Sequence, residues 1–407
     1  MTYIDLFAGA GGLSEGFLRY KFEPIAHVEM DAAACRTLET RIAYYDIKKK
    51  GKQKKYEDYL LGKISRDKLL SFVPPEKLAS VIQAEISDET IADIFQKIDT
   101  LLDGRKVDVI AGGPPCQAYS LAGRSRDPNR MRDDKRNTLF KFYAAFLKRY
   151  KPKYFVFENV KGLLTAGNYF QEMMDLFESK EIGYHVDHKI LNAADFGVLQ
   201  KRERVIIIGR RGKAPFEFPE IEKTPNNWQI GPDLFADLPP LQPGDAPAWV
   251  PYTTPTTDYL ERFDIRNGMA FVAQHEARPH NLRDREIYRI AIEKWQKGER
   301  LQYDELPDHL KTHRHRHVFT DRFKVVDLHG CCHTLVAHIA KDGHYYIHPD
   351  LQQARSVSVR EAARIQSFPD DFFFEGGRSA AWRQVGNAVP PLLAEKIAGT
   401  IKSLLTS

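Results

Sequence analysis

Short apolar runs rich in β-branched residues alternate with amphipathic stretches over the first 210 residues of the chain. The apolar runs have the length and composition of buried strands. They cover residues 2–7, 25–29, 107–111, 154–158 and 205–209. Helical periodicity occurs at residues 13–20, 88–102, 138–149, 170–179 and 392–405. The alternation of strands and helices predicts an α/β fold with a doubly wound sheet.

The middle of the chain has a different composition. Residues 211–350 contain 18 Lys and Arg against 21 Asp and Glu, together with 11 of the 14 histidines. The rest of the chain holds 42 basic and 34 acidic residues. A shift of this kind is typical of a separate domain or a large insertion.

The composition of the whole chain excludes several classes of protein. With 407 residues, 43% of them hydrophobic and 28% charged, it resembles a soluble globular protein. No run approaches the roughly 18 apolar residues of a membrane helix, and Met1 leads into a strand-like run and not into a signal peptide. Four scattered cysteines are too few for a disulfide framework, so we expect a cytoplasmic protein. The lysine-rich run at residues 48–55 is interpreted as a solvated loop, with a DNA-backbone contact as the alternative.

A glycine-rich turn follows the first apolar run. Gly9, Gly11 and Gly12 belong to the sequence DLFAGAGG, and they allow the backbone to turn tightly and to approach a ligand. Glu29 ends the second run, where a carboxylate can accept hydrogen bonds from both hydroxyl groups of a ribose. The pattern indicates a nucleotide-like ligand, although a glycine-rich turn by itself is more often only a turn.

A second turn, with the sequence GGPPCQ, follows the third apolar run. Its glycines and prolines hold Cys116 at the end of a strand, where open α/β sheets bind ligands. This setting favours a nucleophilic thiol over a small buried side chain. Residues 118–137 carry six basic side chains and few apolar ones, and we expect them to form a loop that closes over an anionic substrate.

Two further strand ends carry polar residues. Glu158 ends the fourth apolar run, and it is either a structural ion-pair partner or a partly desolvated proton donor. Gln200, Arg202 and Arg204 alternate ahead of the fifth run, so they share one face. They either decorate the surface or point into a cleft, where they would hold a carboxylate, a phosphate or a base carbonyl.

Together these residues resemble the DNA (cytosine-5)-methyltransferase family. The matching blocks occur in the order of the family and extend from the first strand nearly to the C-terminus. They are DLFAGAGG (5–12), Glu29, GGPPCQ (112–117), ENV (158–160), QKRER (200–204), REAARIQSFPDDF (360–372) and QVGNAVPP (384–391). Each block alone is a weak signal, but their occurrence together and in order identifies the chain as a member of this family.

The resemblance implies S-adenosylmethionine as the methyl donor, with S-adenosylhomocysteine as the product. The cofactor-binding residues that it implies are Phe7, Gly9, Gly11, Gly12, Glu29, Met30, Glu85, Ile86, Pro115, Leu139, Asn387 and Val389. Glu85 is a departure, because the family usually has Asp before the isoleucine.

The resemblance also implies how the chain is divided into domains. Since Asn387 and Val389 return the chain to the cofactor pocket, a Rossmann-like catalytic domain would comprise residues 1–210 and 355–407. Residues 211–354 would form a smaller, mostly β or irregular target-recognition domain.

The family further implies a mechanism and a set of DNA contacts. Cys116 would attack C6 of cytosine, Glu158 would stabilise the adduct at N3, and Arg204 would hold O2 with support from Arg202. The target base must leave the stack of the duplex to be reached. The implied DNA-binding residues are Gln117, Ser120, Arg124, Arg126, Arg314, Arg316 and Thr334. The alternating histidines at residues 313–317 lack the spacing of a zinc site, so no metal is expected.

The expected partner is double-stranded DNA, bound by a monomer in the bacterial cytoplasm at the nucleoid. A cognate restriction enzyme or defence-system proteins are expected as further partners, in restriction–modification or phage defence. One alternative is an RNA cytosine-5 methyltransferase, but such family members have a small recognition region, whereas about 140 residues are available here. The other is a non-catalytic binding module, which the intact set of candidate catalytic side chains argues against.

Overall fold

The strands and helices follow from a computed structural model that describes residues 1–115, 138–212, 214–225, 227–312 and 320–407. The strands are β1 (Thr2–Leu6), β2 (Glu23–Glu29), β3 (Val81–Gln83), β4 (Val109–Gly112), β5 (Tyr154–Val160), β6 (Tyr184–Asn192), β7 (Gln200–Lys201), β8 (Glu203–Arg211), β9 (Trp249–Pro251), β10 (Phe271–Ala273) and β11 (Cys332–His333). The α-helices are α1 (Gly12–Arg19), α2 (Ala32–Lys49), α3 (Lys54–Leu60), α4 (Arg66–Leu70), α5 (Pro75–Leu78), α6 (Ile91–Leu102), α7 (Leu139–Tyr150), α8 (Tyr169–Glu178), α9 (Asp258–Arg262), α10 (Leu282–Gln296), α11 (Val359–Ile365), α12 (Gly377–Asn387) and α13 (Pro391–Thr406).

Seven strands form one central sheet in the order β3-β2-β1-β4-β5-β8-β6. Neighbouring strands are parallel except around β8, which is antiparallel to both β5 and β6. Because β8 is reversed, its first residues lie at the carboxyl edge of the sheet. There Arg204 pairs with Val160, and Ile206 pairs with Glu158. The reversal therefore brings the predicted arginine to the end of the strand that carries the predicted carboxylate.

Helices cover both faces of the sheet. On one face α6, α7 and α8 bury Ile94, Phe146 and Phe177 against the strands. On the other face α1 and α13 pack together and bury Phe17 and Ile397. This arrangement confirms the predicted doubly wound α/β fold. It also explains the continuous apolar runs, because a strand covered on both faces has no polar side.

The predicted elements match the observed ones closely, and the differences have physical causes. The five predicted strands correspond to β1, β2, β4, β5 and β8, with ends that differ by one or two residues. Strand β6 lies at the edge of the sheet and is largely half-exposed, so it shows no apolar run. Helix α2 was also not predicted, because its buried face carries the polar residues Thr37, Thr40, Arg41 and Asp46.

The lysine-rich run at residues 48–55 is not simply a loop. Its first residues complete α2 and its last residues begin α3, so only a short turn separates two helices. Helices α3 and α4 pack on α2 through a small apolar cluster that includes Tyr44, Tyr56 and Leu69. Phe271 of β10 belongs to the same cluster. The chain around this run is therefore a folded helical unit, although Lys48, Lys49 and neighbouring lysines are exposed as predicted.

The middle segment, residues 211–354, has short strands, 3-10 turns and the 15-residue helix α10, which the sequence pattern did not single out. Its main core continues into the last part of the chain, because Leu234, Tyr259 and Val272 cluster with Ala362 of α11 and Val385 of α12. The end of the chain thus packs against the middle segment through α11 and α12 and against the sheet through α13.

Candidate active site

A cleft of about 2640 Å³ opens at the carboxyl edge of the sheet. Sites for small molecules typically measure about 300–1,000 Å³, so this cleft has room for more than a cofactor. Of the twelve predicted cofactor-binding residues, all except Gly11 line it. The carboxyl ends of β1 and β2 and the segments after β2 and β3 contribute acidic residues to its lining, namely Asp5, Glu29, Asp31, Glu85, Asp88 and Glu89. The start of β8, the middle segment and α12 contribute basic residues, including Arg204, Arg322, Lys324, Lys341 and Arg383.

The glycine turn after β1 packs against the end of the chain. Gly9 and Gly11 have φ angles of +54° and +88°, which other residues adopt only with strain. Gly12 begins α1, and a Cβ atom placed on it would lie 2.2 Å from the carbonyl oxygen of Val389. The third glycine is therefore required by the chain's own backbone and not only by a ligand. This close approach brings Val389 to the turn.

Glu29 is fixed at the end of β2 by three backbone amides. Its Oε2 accepts a hydrogen bond from Gly9 N at 2.8 Å, and its Oε1 accepts from Met30 N at 2.9 Å and from Asp31 N at 2.8 Å. Burial raises the pKa of the Glu29 carboxyl, and the three amide donors oppose that shift. A carboxylate offers about four acceptor positions, so a ligand can still bind. The neighbouring Met30 is 56% exposed at the same cleft.

Asp5 is a further acidic group in this cleft, and it is not among the predicted site residues. It is 1% exposed, and neither carboxylate oxygen has a hydrogen-bond partner among the described residues. Burial, and secondly the charge of Glu29, raises its pKa well above the usual value. A buried carboxylate without a partner is costly, which makes Asp5 a candidate for contact with a cationic ligand. The available sequence signal is a charged residue inside the first apolar run.

Glu158 and Arg204 form an ion pair where β5 and β8 meet. Nε of Arg204 lies 2.8 Å from Oε1 of Glu158, and the two side chains are 10% and 14% exposed. Asn159 donates a hydrogen bond from Nδ2 to the carbonyl of Pro114 at 3.3 Å, which connects the proline turn to β5. Glu158, Arg204 and Pro115 all line the cleft. The arrangement places a carboxyl group and a fixed cation side by side at the cleft.

Gln200 and Arg202 share the buried face with Arg204 but contact other groups. Arg202 donates to the backbone carbonyls of Leu335, Gly386 and Ala388. Oε1 of Gln200 accepts a hydrogen bond from Leu335 N at 2.8 Å. The shared face predicted from alternation is therefore present, but Arg204 is the member that reaches Glu158. The hydrogen bonds of Arg202 described above are all to the backbone of the chain.

The remaining predicted residues differ in their surroundings. Glu85 is exposed at the cleft, whereas Ile86 is buried beneath it. Thr334 donates from Oγ1 to the carbonyl of Lys201 at 2.6 Å. Thr334 and Arg204 also line a second cavity of about 480 Å³, together with Lys161 and other residues. Seven predicted residues lie outside the described parts of the chain: Cys116, Gln117, Ser120, Arg124, Arg126, Arg314 and Arg316.

Within the described ranges, none of the helices combines the length and apolar character needed to cross a membrane.

The fold and the cleft define a Rossmann-like α/β protein, with a glycine turn after β1 and an acidic residue at the end of β2. The family model of C-5 cytosine-specific DNA methylases matches residues 1–75 and 75–403. The chain belongs to the C-5 cytosine-specific DNA methylase family.

Similar proteins cover the whole chain. It is 41% identical over 443 aligned residues to Type II methyltransferase M.Bpa9945I of Bacillus paralicheniformis, covering 100% of this chain and 99% of the relative. It is 33% identical over 413 residues to Type II methyltransferase M1.HphI of Haemophilus parahaemolyticus, covering 100% and 88%. Among solved structures, a prophage-encoded E. coli protein described as a DNA modification methyltransferase has a TM-score of 0.62 at 21% identity, with 100% of both chains covered. That structural likeness supports the fold.

Proposed function

We propose that the chain is a sequence-specific DNA cytosine-5 methyltransferase. It transfers a methyl group from S-adenosylmethionine to C5 of a cytosine flipped out of duplex DNA, in restriction–modification or phage defence. The observation that carries the proposal is the ion pair of Glu158 and Arg204 at the carboxyl edge of the sheet, beside the turn that leads to Cys116. The family match and the Type II methyltransferase relatives support the reaction and its setting.

The methyl donor would bind at the acidic side of the cleft. The family generally uses S-adenosylmethionine, which when bound supplies an electrophilic methyl group. The acidic lining suits a ligand with a sulfonium and an ammonium group, and the unpartnered carboxylate of Asp5 offers a buried counter-charge. Glu29 would bind the ribose hydroxyls and Glu85 the adenine. The backbone of Asn387 and Val389 would close the pocket over the glycine turn.

The chemistry requires the carbon C5 to become nucleophilic. Addition of the Cys116 thiolate to C6 forms a sulfur–carbon bond and moves the ring electrons toward N3 and O2. Glu158 holds the proton that N3 shares, and Arg204 donates to O2, so the charge that develops is neutralised by groups already in place. C5 would then accept the methyl group, whose bond to the sulfur of the donor breaks, so that S-adenosylhomocysteine is left as the product. Loss of the C5 proton to a base and elimination of the thiolate restore the aromatic ring.

Binding of DNA would use the basic side of the same cleft. Phosphate contacts position the duplex, whereas base contacts select the sequence. We assign the catalytic domain to residues 1–210 and 355–407 and target recognition to residues 211–354. Thr334 at the cleft, Arg314 and Arg316 belong to the recognition part, while Gln117, Ser120, Arg124 and Arg126 follow Cys116. The protein would act as a monomer in the bacterial cytoplasm at the nucleoid.

The test is transfer of labelled methyl groups by the purified protein to unmethylated genomic DNA, followed by mass spectrometry of the released nucleosides. We expect label in 5-methyl-deoxycytidine. Label only in added transfer RNA would establish the RNA alternative. Duplex binding without label in either nucleic acid would establish a non-catalytic binding module.

A further inference from the structure

One buried guanidinium contacts both the middle segment and a wall of the cleft. Nη1 of Arg202 donates to the carbonyl of Leu335 at 2.5 Å. Nη2 donates to the carbonyls of Gly386 and Ala388 at 3.2 Å and 2.9 Å. The residue is 1% exposed, so water does not compete for these contacts. Since carbonyls from two distant segments meet on one planar group, a displacement of either segment disturbs the other.

Two glutamines form a second connection between the same segments. Oε1 of Gln200 accepts a hydrogen bond from Leu335 N at 2.8 Å, and its Nε2 donates to Oε1 of Gln366. Nε2 of Gln366 donates to the carbonyls of Val385 and Ala388 at 2.8 Å and 2.9 Å. Both glutamines are fully buried. The N–H and the C=O of Leu335 are thus held separately, and both connections end on the carbonyl of Ala388.

The two connected segments lie where the proposed ligands bind. Thr334, Val336 and His338 flank Leu335 and line the cleft on the side of the middle segment, and Val336 is 42% exposed. Asn387 and Val389 flank Ala388 and line the cleft beside the glycine turn. A ligand that orders one segment therefore acts, through buried hydrogen bonds, on the segment that contacts the other ligand.

We infer that Arg202, together with the Gln200–Gln366 pair, couples the binding of DNA at residues 334–338 to the binding of the methyl donor at residues 387–389. Each ligand then strengthens the binding of the other by the same factor, as linkage requires. Arg202 is a positioning residue in this scheme. The inference rests on the proposed function for the identity of the two ligands.

The test measures equilibrium binding and needs no turnover. The dissociation constant of S-adenosylhomocysteine is determined with and without saturating unmethylated genomic DNA, the same duplex that the methyl-transfer test uses. The proteins compared are wild type, Arg202→Lys and Arg360→Lys. Arg360 is a matched control, because it is also 1% exposed and donates to three carbonyls, those of Ala273, Pro369 and Phe372, at 3.0, 3.0 and 2.9 Å. These partners are not among the residues that line the cleft.

In the wild type the duplex should tighten binding of S-adenosylhomocysteine by a factor in the range of about 5–150 that is typical of coupled sites. In Arg202→Lys the factor should fall to no more than about half of the wild-type value, with the part carried by the Gln200–Gln366 pair remaining. An ammonium on a flexible stem cannot hold three carbonyls as a planar guanidinium does. Arg360→Lys should keep the wild-type factor. A wild-type factor of one, an unchanged factor in Arg202→Lys, or an equal loss in both variants would overturn the inference.

If circular dichroism shows that Arg202→Lys does not fold, Gln200→Met decides the question, because it removes one connection and leaves the other. A reduced factor in Gln200→Met supports the coupling, and an unchanged factor contradicts it. A protein that shows the coupling but methylates no DNA would contradict the proposed function and leave this inference standing.

Discussion

Replacement of Arg204 by alanine should greatly reduce the rate of methyl transfer while sparing duplex binding. The guanidinium is fixed by two contacts, the 2.8 Å ion pair with Glu158 and a 2.7 Å hydrogen bond from Nη1 to the carbonyl of Glu203. A donor that is already in place needs no reorganisation when charge develops on the base. Loss of one such donor typically lowers kcat by about 10²–10³, or about 3–4 kcal/mol.

The same substitution should have a smaller effect on folding. Removing one partner of a fully buried ion pair destabilises a protein by about 3–5 kcal/mol. Here the side chains are 10% and 14% exposed, so water reaches the remaining carboxylate and the loss should be below that range. Duplex affinity should change by no more than about threefold, because phosphate contacts position the DNA.

The assay is single-turnover transfer of a labelled methyl group, with duplex binding measured separately by fluorescence anisotropy. Arg204→Lys is the matched control: it keeps the charge but loses the planar geometry, so its rate should lie between those of wild type and alanine. Glu158→Gln should also be slow. The rate of the double variant Arg204→Ala/Glu158→Gln should fall by less than the product of the two single reductions, since the two residues act as a unit. A rate for Arg204→Ala within about threefold of wild type, against the expected loss of about 10² or more, would refute this account of the site.

Three further predictions concern the surroundings of the site. In Gly113→Ala the new Cβ would lie 2.4 Å from the carbonyl oxygen of Glu158 and 2.7 Å from its Oε2. The methyl group should displace the Glu158 carboxylate and lower kcat by about 10²-fold. Normal turnover would contradict the position of Glu158 in the active site. In Glu29→Gln the side-chain NH₂ would replace one of two oxygens that both accept from backbone N–H groups, so a donor would face a donor. The dissociation constant of S-adenosylhomocysteine, measured by calorimetry, should rise by about 10-fold or more. Unchanged affinity would remove Glu29 from the ribose site. Burial lowers the pKa of His27 to about 4, so the unfolded chain binds more protons between pH 4 and 6.5 and stability is lost as the pH falls through that window. Denaturant titrations measure the free energy of unfolding. From pH 6.5 to pH 4 this free energy should fall by about 3 kcal/mol less in His27→Gln than in the wild type. Parallel pH profiles of the two proteins would refute the linkage.

The sequence predicts those parts of the fold well in which burial alone determines the residue pattern. Strands β1, β4 and β5 are buried on both faces, so a continuous apolar run identifies each of them. Polar residues at the ends of such runs, such as Glu29 and Glu158, could be assigned to the carboxyl edge of the sheet, because parallel strands end at one edge. Helix α2 escaped prediction because its buried face forms polar contacts, including the ion pair of Arg41 with Glu15 at 2.6 Å.

Features that depend on distant contacts could not be predicted from local patterns. Alternation places Arg202 and Arg204 on one face, but their different partners follow from the docking of Leu335 beside β7 and from the reversal of β8. Gly12 lines the cleft as the glycine turn suggests, but the close approach of Val389 from the other end of the chain could not be foreseen. Such contacts join residues that are far apart in the sequence, and no local spacing encodes them.

The central claim is that this chain methylates cytosine at C5 in a defined DNA sequence by means of Cys116. The most direct measurement is bisulfite sequencing of DNA from a bacterial host that lacks cytosine methylation, with wild type and Cys116→Ser expressed in parallel. The account predicts cytosines that resist conversion in one short motif with the wild type and none with the variant. Absence of protected cytosines in the wild-type host, or the same protected motif with Cys116→Ser, would contradict it.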